Sequence, residues 1–345
     1  MLTETPSLAG STPANNSRKG ALCIEHIRTL SRLQFLKRAY CILYSEEVAD
    51  NLLEASADSS NRQYESNWRA FATWLPKDAT AIDRALVMSY LSKLGRTLAP
   101  RTVLVHRNAL RLPLELAFNV DFDHKHFGLL AKANFRRAPP KKQLVPSWSL
   151  EEALFVLKNR RIDKTDQRSM FLKTISLTAV ASANRAAELA AIERKSIALR
   201  NTNAILGVKA GFLFKNQSLE HAPSNIVIPA LGDHVLCPIL ALDNYLELTK
   251  DSLESSLFLH PLSGKSLNAA GISFWLAKAI DWLLPESLGK GHDIRKLVTS
   301  HAWFRGIAAN EIIAAGSWKS LNTFIKRYFV HGRPTGSAVV AITIC

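Results

Sequence analysis

No two cysteines in this sequence stand at C-x-x-C spacing, and none of the four (Cys23, Cys41, Cys237, Cys345) has histidines at metal-ligand spacing. That excludes the common structural zinc sites and fits reduced thiols in an intracellular protein. No apolar run reaches roughly 18 residues, so a membrane-spanning helix is not expected. The first 20 residues have no basic region leading into an apolar core. They read as a disordered polar tail, not a secretory signal. There is no internal repeat. Acidic residues are scarce as well: 29 Asp and Glu against 44 Lys and Arg, a net charge of +15. This excess suggests a polyanionic partner, most simply DNA.

The 345 residues are enough for two domains, and a 47% hydrophobic composition is globular. Residues 21–58 read as a helical N-terminal extension. Ile24, Ile27, Leu30, Leu33 and Leu36 stand at roughly helical spacing, and Ser45 caps a second short helix. Residues 59–137 read as a small all-α domain. Tyr64, Trp68, Phe71 and Leu75 share one helical face, and a second helix spans Ile82–Leu94. A third starts at Pro100 and stops at Pro113, and a fourth includes LELAF.

Between His124 and Leu150 there are six basic residues, no acid, and Pro139, Pro140 and Pro146. This reads as an interdomain linker lying on a phosphate backbone, with its core at residues 138–146. A second domain, 147–332, opens on a helix capped by Ser149 and contains a helix over 168–181 that leads into Arg185. NAILGVK, GFLFK and SNIVIPAL then read as strands of a small sheet, followed by more helix. The second domain is therefore α+β with a minor sheet, in a mainly α protein. Residues 333–345 form a C-terminal tail.

The most informative stretch is Gly291–Phe329. His292 and Arg295 lie one helical turn apart, Trp318 follows a glycine-ended helix, and Tyr328 stands 10 residues after Trp318 and 33 after Arg295. Upstream is Arg185, with Glu188 three residues on. Arginines bind non-bridging phosphate oxygens in bidentate fashion. A tyrosine can act as a covalent nucleophile. His and Trp donors can stabilise charge on a pentacoordinate phosphorus.

The order Arg185, a hairpin lysine, His292-x-x-Arg295, Trp318, Tyr328 resembles the tyrosine recombinase (phage-type integrase) family across roughly Ser59–Val330. NRQYESNWRAFATWL, GFLFK and the AGSWKS…Y tail are closest in wording to DIRS-like retrotransposon recombinases. The resemblance implies a SAM-like core-binding domain at 59–137, followed by a recombinase catalytic domain. It implies that Tyr328 forms a 3′-phosphotyrosine link while Arg185, His292, Arg295 and Trp318 hold the phosphorane. Lys215 is then the general acid, with Lys209 its competitor, and Glu188 orients Arg185. His292 is also a candidate base for Tyr328. Arg101, Arg107, Arg136, Arg137, Lys141 and Lys142 are the expected DNA-binding residues. Where the family has a glycine shortly before the first arginine, this chain has Ser182, Ala183 and Asn184.

The resemblance further implies a homotetramer on paired sites in double-stranded DNA, with no cofactor, metal or ATP. It implies a nuclear location in a eukaryote, or cytoplasm and nucleoid in a bacterium or phage. The apolar end at 336–345 is expected to dock on a neighbouring protomer. Two other functions use the same residues: type IB topoisomerase-like strand relaxation, and DNA binding without turnover.

Overall fold

A computed structural model describes residues 22–139, 146–215, 217, 225–232 and 234–330. Lys141, Lys142, His331 and the tail at 333–345 lie outside the described residues. The chain divides into two compact units, Met1–Lys142 and Gln143–Cys345.

The first unit is all helical: α1 (Ile24–Thr29), α2 (Arg32–Leu43), α3 (Glu46–Leu53), α4 (Asp58–Trp74), α5 (Arg84–Leu94), α6 (Pro100–Phe118) and α7 (Lys125–Arg137). Ile27 and Phe35 are buried in the same core as Trp68, Phe71, Tyr90 and Leu110. The start of the expected N-terminal extension thus packs into this unit's core, while Leu36, Tyr40 and Ala49 form a separate small cluster. The single helix suggested by the 24–36 spacing is two. Ser31 interrupts it, and its hydroxyl caps α2 by accepting from the Gln34 N–H at 3.2 Å.

Pro113 does not end its helix; α6 runs through it to Phe118. A proline inside a helix leaves the carbonyl four residues earlier without its N–H partner. Here that carbonyl belongs to Ala109, and the Nε of buried Arg32 donates to it at 2.8 Å. The Arg32 guanidinium also lies 4.9 Å from the Tyr64 ring centroid. An arginine from α2 thus supplies the missing donor. The basic stretch read as linker from His124 is likewise helical as far as Arg137. Phe127 on α7 is buried and stacks on Phe122 at 4.9 Å, so apolar packing there overrides the polar look of the sequence.

The second unit contains α8 (Leu150–Asn159), α9 (Gln167–Ser182), α10 (Ala186–Ala190), α11 (Pro238–Leu248), α12 (Ala269–Leu283), α13 (Asp293–Phe304), α14 (Ala309–Ala315) and α15 (Leu321–Arg327). Its antiparallel sheet has the order β1 (Ile192–Leu199), β2 (Asn203–Val208), β3 (Ile226–Pro229). GFLFK is not a strand. Gly211 turns the chain with φ +74°, and the third strand is instead IERKSIAL, directly after α10. Its mixed charge hid it, because Glu193, Arg194 and Lys195 break the apolar alternation. Ala204 and Leu206 on β2 face the core with Ile226 and Ile228 of β3. α9 is buried on nearly all sides and packs with Leu189, Tyr245, Ile272, Leu276 and Ile294. A separate small core, Ile312, Trp318 and Phe324, lies against Trp303, Tyr328 and Phe329. That satellite core carries the last two residues of the expected site.

Candidate active site

Arg185 caps α10 just after the chain leaves α9. Between them Ala183 takes a left-handed conformation, φ 51° and ψ 25°. Ala183 is one of the three residues, Ser182, Ala183 and Asn184, that precede Arg185. An L residue pays about 1–2 kcal/mol in the left-handed region. Ala183→Gly is expected to change stability by less than about 1 kcal/mol, because relief of strain offsets a lost methyl and greater chain freedom. Ala183→Val, β-branched at the same φ, should cost about 2 kcal/mol or more. Thermal melts of the two variants check this.

Glu188 is 1% exposed and draws the arginines together. It accepts from the Arg185 backbone N–H at 2.7 Å and from Arg185 Nη1 at 2.5 Å, and lies 3.5 Å from Arg295 Nη1. Arg295 comes from the first turn of α13. The approach to that helix is close: a Cβ on Gly291 would stand 2.7 Å from the Ser273 carbonyl. Arg295 is buried, donating Nη1 to the Ala183 carbonyl at 2.7 Å and Nη2 to the Gly316 carbonyl. Its guanidinium carbon lies 4.6 Å from the Trp318 ring centroid and 5.3 Å from that of Tyr328. The Trp318 and Tyr328 rings are themselves 4.7 Å apart.

The structure therefore brings Arg185, Glu188, Arg295, Trp318 and Tyr328 into one cluster. Each Nη of Arg295 donates one N–H to a backbone carbonyl and keeps a second. Arg295 Nε is buried without a hydrogen-bond partner, as is Asn184 Nδ2 beside Arg185, whereas the Trp318 indole interacts with the Tyr328 hydroxyl. Buried donors left unpaired are costly.

Electrostatics favour an anion here. Burial pushes Arg295 down to about 10, assisted by repulsion from Arg185 and opposed by Glu188 and Tyr328. Burial alone would raise the Tyr328 phenol, but attraction to Arg185 and Arg295 outweighs it and holds the phenol below the usual tyrosine value.

His292 does not share the buried face of Arg295. It is the N-cap of α13, with its side chain 61% exposed and Nε2 3.5 Å from Asp293 Oδ1. Partial burial lowers its pKa, Asp293 opposes this, and Lys296 and Lys290 lower it further. Asp293 was not singled out from sequence. It is buried, accepts from the Lys290 N–H at 3.0 Å and lies 3.7 Å from Lys296 Nζ. Its only sequence signal is an acid at the first position of a helix.

The two lysines lie in the β2–β3 connection. Lys209 donates to Ser256 Oγ at 2.7 Å, whereas Lys215 is exposed in a turn. Among the described residues neither is bonded to the arginine–tyrosine cluster. On the first unit, Arg101 and Arg136 are exposed. Arg107 instead donates to the Phe122 carbonyl at 2.6 Å, and Arg137 to the Gly95 carbonyl at 3.1 Å. These last two hold their own unit together, which the sequence does not reveal.

No family model and no curated relative matches the sequence. Solved structures do. XerH site-specific recombinase bound to palindromic difH substrate is similar with a TM-score of 0.58 at 13% identity, over 93% of each chain. A lambda integrase (75–356) dimer bound to a COC′ core site is similar with a TM-score of 0.55 at 16% identity, over 89% of this chain and 98% of that one. This chain has the tyrosine recombinase fold. The Tn1549 transposon integrase in complex with transposon right end DNA gives a TM-score of 0.54 at 10% identity, over 90% of this chain and 98% of that one. The tyrosine recombinase fold thus extends over both units, and the expected mainly α architecture with a minor sheet is the observed one. Among the described residues no helix is long and apolar enough to cross a membrane.

Proposed function

We propose that this chain is a site-specific DNA recombinase that cuts and rejoins double-stranded DNA through Tyr328. The observation that carries the proposal is the cluster itself. A tyrosine lies beside two arginines that favour its phenolate, among buried donors that lack an acceptor. A scissile phosphate supplies that acceptor. Three DNA-bound recombinases and integrases of the same fold support the choice of DNA as substrate.

The Tyr328 oxygen attacks phosphorus, and the bond to the 5′-oxygen breaks. This leaves a 3′-phosphotyrosine and a free 5′-hydroxyl. Arg185, the Arg295 Nε and the Trp318 indole N–H stabilise the charge that builds on the equatorial oxygens. His292, whose neutral form is favoured, accepts the phenol proton. Lys215, exposed in its turn, donates a proton to the departing 5′-oxygen; the Lys209 ammonium is already bound by Ser256. The phosphotyrosine conserves the phosphodiester bond energy, so the reaction needs neither ATP nor, on this reading, a metal. Attack by a 5′-hydroxyl from a partner strand reverses the step, and the working unit is a homotetramer on two DNA sites.

The attacking species is the phenolate, so its fraction sets the sign of the pH dependence. The single-turnover cleavage rate should rise with pH and level off below about 10, the ordinary tyrosine value. In Arg185→Gln the rise should move to more alkaline pH. A profile that rises through the ordinary tyrosine value in both proteins contradicts the account. The function is tested by incubating the protein with a pool of nicked duplexes in EDTA and denaturing in SDS. A protein–DNA adduct is expected. Tight DNA binding with no adduct across a wide pool would leave a binding protein without turnover.

A further inference from the structure

α13 carries Arg295 near its start, and its far end holds the chain just beyond Tyr328. α15 ends at Arg327. The N–H groups of Tyr328 and Phe329 both reach back to the Phe324 carbonyl, at 2.8 and 3.0 Å. The N–H of Val330 instead donates to Ser300 Oγ on α13 at 2.9 Å, across 30 residues of sequence. Ser300 is buried. Phe329 stands between Tyr328 and Val330 in the sequence. Its ring centroid is 6.0 Å from Trp303 and 5.4 Å from Phe304, both also on α13. One helix therefore bears a buried guanidinium of the site and the anchor for the residues immediately after the tyrosine.

We infer that Ser300 is a positioning residue, which fixes the backbone after Tyr328 to α13 and so holds the phenol oxygen in register with Arg295. The inference rests on the reading of Tyr328 as nucleophile and adds a residue outside the expected set. The physical case is that in-line attack tolerates little displacement, and errors of about 1 Å can cost about 10²-fold in rate. The Ser300–Val330 bond acts only two residues from the reacting side chain, leaving few backbone torsions to absorb such an error. Phe329 packing alone does not set the chain direction, because dispersion contacts are not directional in the way an N–H···O bond is.

The test uses the full chain with Ser300→Ala, Ser300→Thr and Val330→Pro, the last removing the N–H donor from the other side. Two readouts are taken. The first is single-turnover cleavage of a nicked duplex, with DNA affinity measured separately. The second needs no DNA: NMR titration of the ¹³C-labelled tyrosine ring, with the Tyr328 signal assigned from Tyr328→Phe. In Ser300→Ala, cleavage should slow roughly tenfold with unchanged DNA affinity. The Tyr328 titration should move to higher pH as the phenol leaves the arginines. Ser300→Thr, which keeps the hydroxyl, should restore both readouts. Ser300→Ala combined with Val330→Pro should be no worse than the poorer single variant, because both remove the same bond. Wild-type cleavage and titration in Ser300→Ala would overturn the inference, as would additive losses in the double variant. If the wild-type chain makes no adduct but the titration still moves in Ser300→Ala, the recombinase reading fails and the positioning role stands.

Discussion

Glu188→Gln should destabilise the second unit by about 3 kcal/mol, lowering its thermal midpoint by roughly 6–12 °C. The substitution keeps the shape of the side chain and removes its charge. Glu188 is buried and lies within 4 Å of both Arg185 and Arg295, which repel each other. Breaking a buried ion pair by neutralising one partner leaves the other charge without compensation in a poorly solvated place. Here two guanidiniums are left. Arg295 is already held down to about 10 by burial and by Arg185, and the loss of Glu188 lowers it further. Differential scanning calorimetry of the two proteins measures the effect. An unchanged midpoint would mean that Glu188 does not tie the arginines together in solution.

Arg295→Lys should lower the cleavage rate by about 10²–10³-fold, the range seen when one preorganised donor is removed from a site that stabilises developing charge. A lysine keeps the positive charge but not the planar fork. In this chain the fork does more than carry charge. Nη1 and Nη2 tie the Ala183 and Gly316 carbonyls, the plane lies over Trp318 and Tyr328, and Nε has no partner within the described residues. No single ammonium reproduces that geometry. DNA affinity, which depends on many dispersed basic residues, should change little. Rate and affinity measured on the same nicked duplex separate the two. A proportional fall in both would assign Arg295 to binding and not to the chemical step.

Much of this could be read from the sequence where one residue type at one spacing has one consequence. Ser45 and Ser149 cap helices as their positions suggest, accepting from the N–H groups of Val48 and Glu152. The order of Arg185, Arg295, Trp318 and Tyr328 selected four side chains that come together, although 143 positions separate the first from the last. The failures share a cause, which is a partner from elsewhere in the chain. Pro113 is tolerated because Arg32 reaches the Ala109 carbonyl. Arg107 and Arg137 each donate to a carbonyl of their own unit, Phe122 and Gly95, which their spacing does not reveal. His292 and Arg295 share a spacing but not an environment, because His292 precedes the first turn of α13. Ser300 carries no sequence signal, since its partner is a backbone N–H.

The most direct test of the account identifies the atom that becomes attached to DNA. Wild type and Tyr328→Phe are each incubated in EDTA with nicked duplexes, and trapped complexes are digested with nuclease and protease. Mass spectrometry then locates the residual nucleotide on a peptide. The account predicts a 3′-phosphonucleotide on Tyr328 in the wild type and no adduct in Tyr328→Phe. An adduct on another residue, or one that persists in Tyr328→Phe, would contradict it.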